Sequence, residues 1–201
     1  MIAVIDYGAG NLFSVCNALN YLSIAHTVTK DAAEINRADA VILPGVGAFP
    51  AAMESLRATG LVDTIKANAQ KKPLLGICLG MQMLFDRSDE NGNCDGLGLI
   101  AGEVHRIPSQ NVIIPHMGWN ELVITQDSPL LKDIETPVYT YFVHSYQAFC
   151  NDKNIIAYCD YDGKIPALVT DGRFVFGSQY HPEKSGDKGL QMLRNFEELT
   201  R

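Results

Sequence analysis

Cys78 stands in the run Gly76-Ile77-Cys78-Leu79-Gly80, between the apolar stretch Pro73–Ile77 and the helix-forming stretch Met81-Gln82-Met83-Leu84-Phe85. A nucleophile flanked by glycines at a strand-to-helix turn is the pattern of a nucleophile elbow, here with cysteine in place of serine. The glycines let neighbouring chain approach without a Cβ clash, so the sulfur stands clear of the sheet. The helix N-terminus beneath it favours a thiolate, and the backbone N–H of Leu79 is left free to meet a developing oxyanion. The plain alternative is a small buried hydrophobe, but flanking glycines have no purpose at an ordinary strand end. Cys16, Cys94, Cys150 and Cys159 have no comparable surroundings and read as ordinary cysteines.

A thiol nucleophile needs a base, and the base needs an orienting group. His181-Pro182-Glu183 supplies both. On an extended segment residues i and i+2 point the same way, which lets both side chains face one site. The imidazole then activates the thiol and later protonates a leaving amine, while the carboxylate fixes tautomer and orientation. His26 and His105 lie in strand-like runs and read as structural; His116 and His144 lie among Pro, Gly and aromatic residues, where they suit a site or an interface. A second oxyanion donor is expected from Pro44-Gly45-Val46-Gly47, a loop after a neighbouring strand, whose two glycines permit positive φ and let an amide be aimed at a ligand. On local sequence alone an ordinary glycine turn is an equal reading.

These groups need a scaffold, and the first half of the chain reads as one. Short apolar runs at Ile2–Asp6, His26–Lys30, Ala40–Leu43 and Pro73–Ile77 alternate with helix-period segments at Leu12–Leu22, from an Asp31 cap to Arg37, at Phe49–Ala58 and at Leu61–Ala69. That alternation predicts βαβ units and a parallel sheet covered on both faces. From about Gly98 the texture changes to short runs separated by Gly, Pro, Asn and Asp: Glu103–Ile107, Glu121–Ile124, Val138–Phe142, Ile155–Asp160, Ala167–Thr170 and Arg173–Ser178. These predict antiparallel or mixed strands, followed by an amphipathic helix over about Asp187–Leu199.

Composition bounds the function. A chain of 201 residues is expected to form one domain. With 47% hydrophobic and 19% charged residues it is neither disordered nor an integral membrane protein. The net charge of −7, with no basic cluster longer than Lys71-Lys72, argues against nucleic acid. Five cysteines without metal-ligand spacing argue against a disulfide framework or a metal centre. The opening Met-Ile-Ala-Val-Ile lacks the character of a signal peptide, so the cytoplasm is the expected compartment.

Taken in order, Gly8-Ala9-Gly10-Asn11, Pro44-Gly45-Val46-Gly47, Gly76-Ile77-Cys78-Leu79-Gly80-Met81-Gln82 and His181-Pro182-Glu183-Lys184-Ser185 resemble the class I, or triad, glutamine amidotransferases. Pro115-His116-Met117-Gly118-Trp119-Asn120 and Tyr141-Phe142-Val143-His144-Ser145-Tyr146 resemble those members that serve a (βα)8-barrel cyclase in histidine biosynthesis. Tyr180 stands where the family pattern has Phe. The resemblance covers essentially the whole chain and implies a flavodoxin-like three-layer α/β sandwich with a mostly parallel central sheet.

It also implies hydrolysis of L-glutamine to glutamate and ammonia by Cys78, His181 and Glu183, with no cofactor and no metal. The amides of Leu79 and of the Gly45, Val46 and Gly47 loop would receive the oxyanion. Gln82, Glu90, Ser145 and Tyr146 would contact the substrate. Asn11, Met117, Trp119, Tyr141 and Lys184 would face the cyclase partner. Three other readings stay open: a cysteine peptidase or related hydrolase on a similar sheet, a binding domain that kept the fold without the chemistry, and a glutaminase serving another synthase such as anthranilate synthase.

Overall fold

The computed structural model describes residues 1–108 and 111–201. The amino-terminal half runs β1 (Ile2–Ile5), α1 (Leu12–Tyr21), β2 (His26–Thr29), α2 (Ala32–Arg37), β3 (Ala40–Gly45), α3 (Phe49–Ala58), α4 (Val62–Ala69), β4 (Leu74–Cys78) and the single turn α5 (Leu79–Gln82). Local chemistry sets the helix starts. Asn11 accepts from the Ser14 amide at 3.2 Å to cap α1, Asp31 accepts from the Ala33 amide at 2.7 Å to cap α2, and Pro50 occupies the first turn of α3. The second half adds β5 (Arg87–Ser88), β6 (Cys94–Asp95), β7 (Gly102–Arg106), β8 (His116–Glu121), β9 (Val123–Ile124), β10 (Tyr139–His144), β11 (Tyr146–Cys150), β12 (Ile155–Asp160), β13 (Lys164–Thr170), β14 (Val175–Ser178) and α6 (Gly186–Glu198).

The main sheet has the order β2-β1-β3-β4-β14-β13-β12-β9. From β2 to β14 neighbours run parallel, and β13, β12 and β9 continue antiparallel. Strand residues alternate between two cores: Ile2, Val4 and Ile42 pack with Val15 and Leu19 of α1 and Leu193 and Phe196 of α6, while Ala3, Ile5 and Leu43 pack with Ile35, Phe49, Met53 and Ile65 of α2, α3 and α4. Helices on both faces make the three-layer α/β sandwich. Two smaller sheets have the orders β10-β8 and β11-β7-β5-β6.

Two expectations are corrected. The helix-forming run after Cys78 yields only one turn. The carbonyls of Met83, Leu84 and Phe85 accept instead from Leu97, from Leu99 and Ile100, and from Gly98, so a crossing segment takes the bonds that a longer helix would use. The single strand expected over Glu121–Ile124 divides at Leu122, whose N–H turns to the Val138 carbonyl, leaving β8 paired with β10 and β9 paired with β12. The strands β5, β6 and β11 carry no sequence expectation, two of them being only two residues long.

Candidate active site

The adjacent central strands β3, β4 and β14 bring their carboxyl ends together at the carboxyl end of the sheet, where open α/β folds place ligands. Gly45 lies opposite Cys78 in register. Cys78 itself has φ 56° and ψ −110°, a left-handed conformation that a non-glycine residue adopts at a cost of roughly 1–3 kcal/mol. The surrounding glycines make that turn possible. A Cβ on Gly80 would lie 1.9 Å from the Leu43 carbonyl oxygen, one on Gly76 2.6 Å from the Gly80 oxygen, and one on Gly45 2.5 Å from the Gly80 nitrogen.

Gly45 is therefore a packing residue at the end of β3, and of the two loop glycines that permit positive φ only Gly47 adopts it, at 97°, with open space around it. The loop's pocket lining comes from Val46 and Gly47. Leu79 begins the one-turn helix, so its N–H has no intrahelical partner, and the residue lines the same pocket. With α5 so short, the aligned dipoles beneath the sulfur are those of one turn rather than of a long helix.

His181 reaches the sulfur from the other side. The expectation of an extended His-Pro-Glu segment is corrected, because Pro182 starts a 3-10 turn over Pro182–Lys184 with His181 at its cap. The turn still brings the two side chains together, His181 Nδ1 donating to Glu183 Oε1 at 2.7 Å. Both side chains are buried, and Glu183 Oε2 has no partner among the described residues, so the carboxylate is directed at the imidazole. Burial alone pulls the imidazole down. Hydrogen bonds to Cys78 and Glu183, and the charges those groups carry, overcome it and raise His181 to about 9. The backbone of His181 is clamped as well: its N–H donates to the Tyr141 carbonyl at 3.0 Å, and its carbonyl accepts from Ser185 Oγ at 2.6 Å.

A cavity of about 380 Å³ opens over these groups, lined by Val46, Gly47, Cys78, Leu79, Gln82, Glu90, His144, Ser145, Tyr146 and His181, with Pro115 and Val143. It collects Gln82, Glu90, Ser145 and Tyr146, the predicted substrate contacts; Gly45 and Glu183 are not among its lining residues. Several polar atoms are already occupied. Glu90 Oε2 accepts from the Phe49 amide at 2.7 Å and so caps α3 from a distant loop. The Ser145 carbonyl accepts from Ile107 N, and the Tyr146 carbonyl accepts from Gln82 Nε2 at 3.0 Å and His144 Nδ1 at 2.8 Å.

Sequence reasoning left His116 and His144 open and missed Gln179. His144 forms part of the pocket wall, and burial pushes its ring down to about 3, against the opposing bond to Tyr146. His116 lies behind it, 3.0 Å from His144 Nε2 and 2.8 Å from Asn120 Oδ1, stacked between Phe142 and Tyr161. Gln179, fully buried, bridges Gln82 and Cys78. Its placement two residues before His181 was the available signal. His105, read as structural, forms an exposed ion cluster with Asp89 and Glu103. Tyr180 is buried, its hydroxyl meeting Met192 Sδ at 3.0 Å.

The sequence pattern of the family described as glutamine amidotransferase class-I matches residues 3–199. This chain belongs to the class I glutamine amidotransferases. The amidotransferase is 51% identical over 98% of its length to the imidazole glycerol phosphate synthase subunit HisH of Bacillus cereus (strain G9842), covering 94% of that protein. It is 46% identical over its whole length to the subunit of the same name from Listeria monocytogenes serotype 4a (strain HCC23), covering 96% of it. A crystal structure described as that of glutamine amidotransferase superposes with a TM-score of 0.78 at 19% identity, covering all of this chain and 99% of that one, a likeness of fold. Among the described residues of the amidotransferase no helix is long and apolar enough to cross a membrane, and no group of three or more His, Cys, Asp or Glu is placed to hold a metal ion.

Proposed function

We propose that this amidotransferase is the glutaminase subunit of an imidazole glycerol phosphate synthase, and that it passes ammonia to a (βα)8-barrel cyclase subunit making imidazole glycerol phosphate and AICAR in the cytoplasm. The observation that carries the reading is the elbow cysteine sharing one cavity with His181, whose ring is held by Glu183. Relatives at about half identity over nearly the whole chain support the choice of synthase.

The Cys78 sulfur, having given its proton to His181, attacks the carboxamide carbon of glutamine, and the carbonyl π electrons move to oxygen. The Leu79 amide and the Val46–Gly47 loop are suited to receive that oxyanion. His181 gives its proton to the departing nitrogen, ammonia leaves, and a glutamyl thioester remains. A water molecule then gives its proton to His181 and attacks the thioester carbon, releasing glutamate and returning the sulfur to its starting state. Glu183 holds the imidazole in one orientation throughout.

Ammonia set free in water would be protonated and lost as a nucleophile, so an acceptor must lie close. A docking face for the cyclase is supported by the outer side of β8 and β10, where Met117 and Trp119 are 61% and 54% exposed and Trp119 meets the Tyr141 ring edge-on. Lys184 lies on the 3-10 turn beside Glu183, and Asn11 starts the helix packed against that turn. The test is glutamate release from glutamine with and without the cyclase subunit, alongside co-purification of the two. Glutamine turnover independent of any partner, or capture of a different synthase, would contradict the reading.

A further inference from the structure

We propose that Gln179 is a positioning residue for the nucleophile, presenting an N–H to the Cys78 sulfur at the inner end of a buried chain of hydrogen bonds whose direction is set by the pocket wall. The chain runs from the Tyr146 carbonyl to Gln82 Nε2 (3.0 Å), from Gln82 Nε2 to Gln179 Oε1 (3.0 Å), and from Gln179 Nε2 to Cys78 Sγ (3.9 Å).

The sense of this chain follows from one acceptor. A backbone carbonyl only accepts, so Gln82 must turn its NH2 group toward Tyr146. The second hydrogen of that NH2 points at Gln179, which must answer with its oxygen. Gln179 then has only its own NH2 left, and that group faces the sulfur. Reversing the Gln179 amide would set two NH2 groups against each other and aim a carbonyl oxygen at the nucleophile, in a fully buried place where a mismatched polar pair is costly. The backbone fixes the rest: Gln179 N–H donates to the Ala167 carbonyl at 2.8 Å, so the residue is held to the sheet while its side chain reaches under the elbow.

An N–H aimed at sulfur favours the anion over the neutral thiol and limits the directions in which the sulfur can swing. His181 alone would leave Cys78 held from one side. The outer end is anchored too, since His144 Nδ1 donates to the same Tyr146 carbonyl and His116 backs His144 from β8. The nucleophile is thereby joined to the strand that bears Met117 and Trp119.

The proposal rests on the glutaminase reading for its turnover arm only, because thiol reactivity can be read without glutamine. Gln179→Met keeps length and removes both polar ends; Gln179→Glu keeps the acceptor for Gln82 and loses the donor to sulfur. Each is compared with the parent chain in three measurements: iodoacetamide alkylation of Cys78 across pH, followed on the Cys78-containing peptide by mass spectrometry; kcat and KM for glutamine in the complex with the cyclase subunit; and thermal melting. At pH 8 both variants are expected to alkylate about tenfold more slowly, with the alkylation profile displaced to higher pH and kcat reduced about tenfold. Gln179→Met also raises KM because Gln82 keeps only its bond to Tyr146 and loses the one to Gln179, whereas Gln179→Glu leaves KM near that of the parent. If Gln179→Met does not fold, Gln179→Glu carries the test. An alkylation rate and profile equal to the parent's in the folded variants overturn the proposal, even where turnover falls. If alkylation responds as expected while the parent releases no glutamate from glutamine, the positioning role stands and the glutaminase reading fails.

Discussion

Replacing Glu183 by glutamine removes the charge behind His181 while nearly preserving shape. The carboxylate accepts from Nδ1 at 2.7 Å in a place closed to solvent, and a hydrogen bond to a charged group there is worth roughly 1.5–3 kcal/mol. At about 1.4 kcal/mol per decade, its loss corresponds to a fall in kcat of ~10–10². The new amide adds a second cost. To keep its oxygen on Nδ1 it must put NH2 where Glu183 Oε2 has no partner among the described residues, leaving a buried donor unmet. To satisfy that donor it would have to turn and offer NH2 to Nδ1, which enforces the wrong tautomer. Geometry partly survives the first arrangement, so Glu183→Gln is expected to lose less than His181→Ala, for which a loss of ~10⁴ or more is expected. The His181 ring should also titrate below its present value of about 9, since one of the groups that raise it is gone. The assays are steady-state glutamate release by the complex and NMR titration of the imidazole. Equal or inverted effects on kcat, or an unmoved ring titration, would show that Glu183 does not orient His181.

The elbow should tolerate a methyl group unequally: Gly80→Ala is expected to prevent folding or lower the melting temperature sharply, because its Cβ would strike the Leu43 carbonyl, while the Cβ of Gly47→Ala meets no atom and the variant should fold, losing only the roughly 1–3 kcal/mol that positive φ costs alanine. The same Gly47→Ala is expected to cut kcat ~10²–10³ if the loop amide serves the oxyanion, since φ 97° is strained for alanine; activity at the parent's rate would remove the loop from that role. The isolated chain should turn over glutamine slowly and gain in kcat, rather than in KM alone, when the cyclase subunit and an acceptor analogue are added. For His144 the folded ring titrates near 3 and the unfolded one near 6.5, so the unfolded chain binds a proton that the native chain refuses as pH falls below 6.5. Its stabilising contribution is present above that pH and is lost on acidification. Urea unfolding at pH 7, 6 and 5 should show stability falling by up to about 1.4 kcal/mol per unit, a slope that flattens in His144→Gln.

The parallel half of the fold was legible because a strand buried on both faces leaves an unbroken apolar run, and the helices between carry one apolar stripe. That Cys78, His181 and Glu183 come together was legible because glycines around a cysteine and a His-Pro-Glu run each have a physical purpose. What escaped was decided by long-range contacts. The run after Cys78 has helix-forming residues, yet the 97–100 segment claims its carbonyls. Pro182 turned an extended expectation into a 3-10 cap without changing which side chains meet. Glu90 and Gln179 act through partners 41 and 97 to 101 residues away, and no local pattern carries such pairings.

The central claim is that Cys78 makes glutamine a source of ammonia for a partner's chemistry, and Cys78→Ala in the complex with the cyclase subunit tests it most directly. The account predicts that glutamine-dependent formation of imidazole glycerol phosphate and all glutamate release disappear, while formation supported by added ammonium salt stays close to that of the parent complex. Continued glutamate release from Cys78→Ala, or loss of the ammonium-supported reaction together with the glutamine-dependent one, would contradict it.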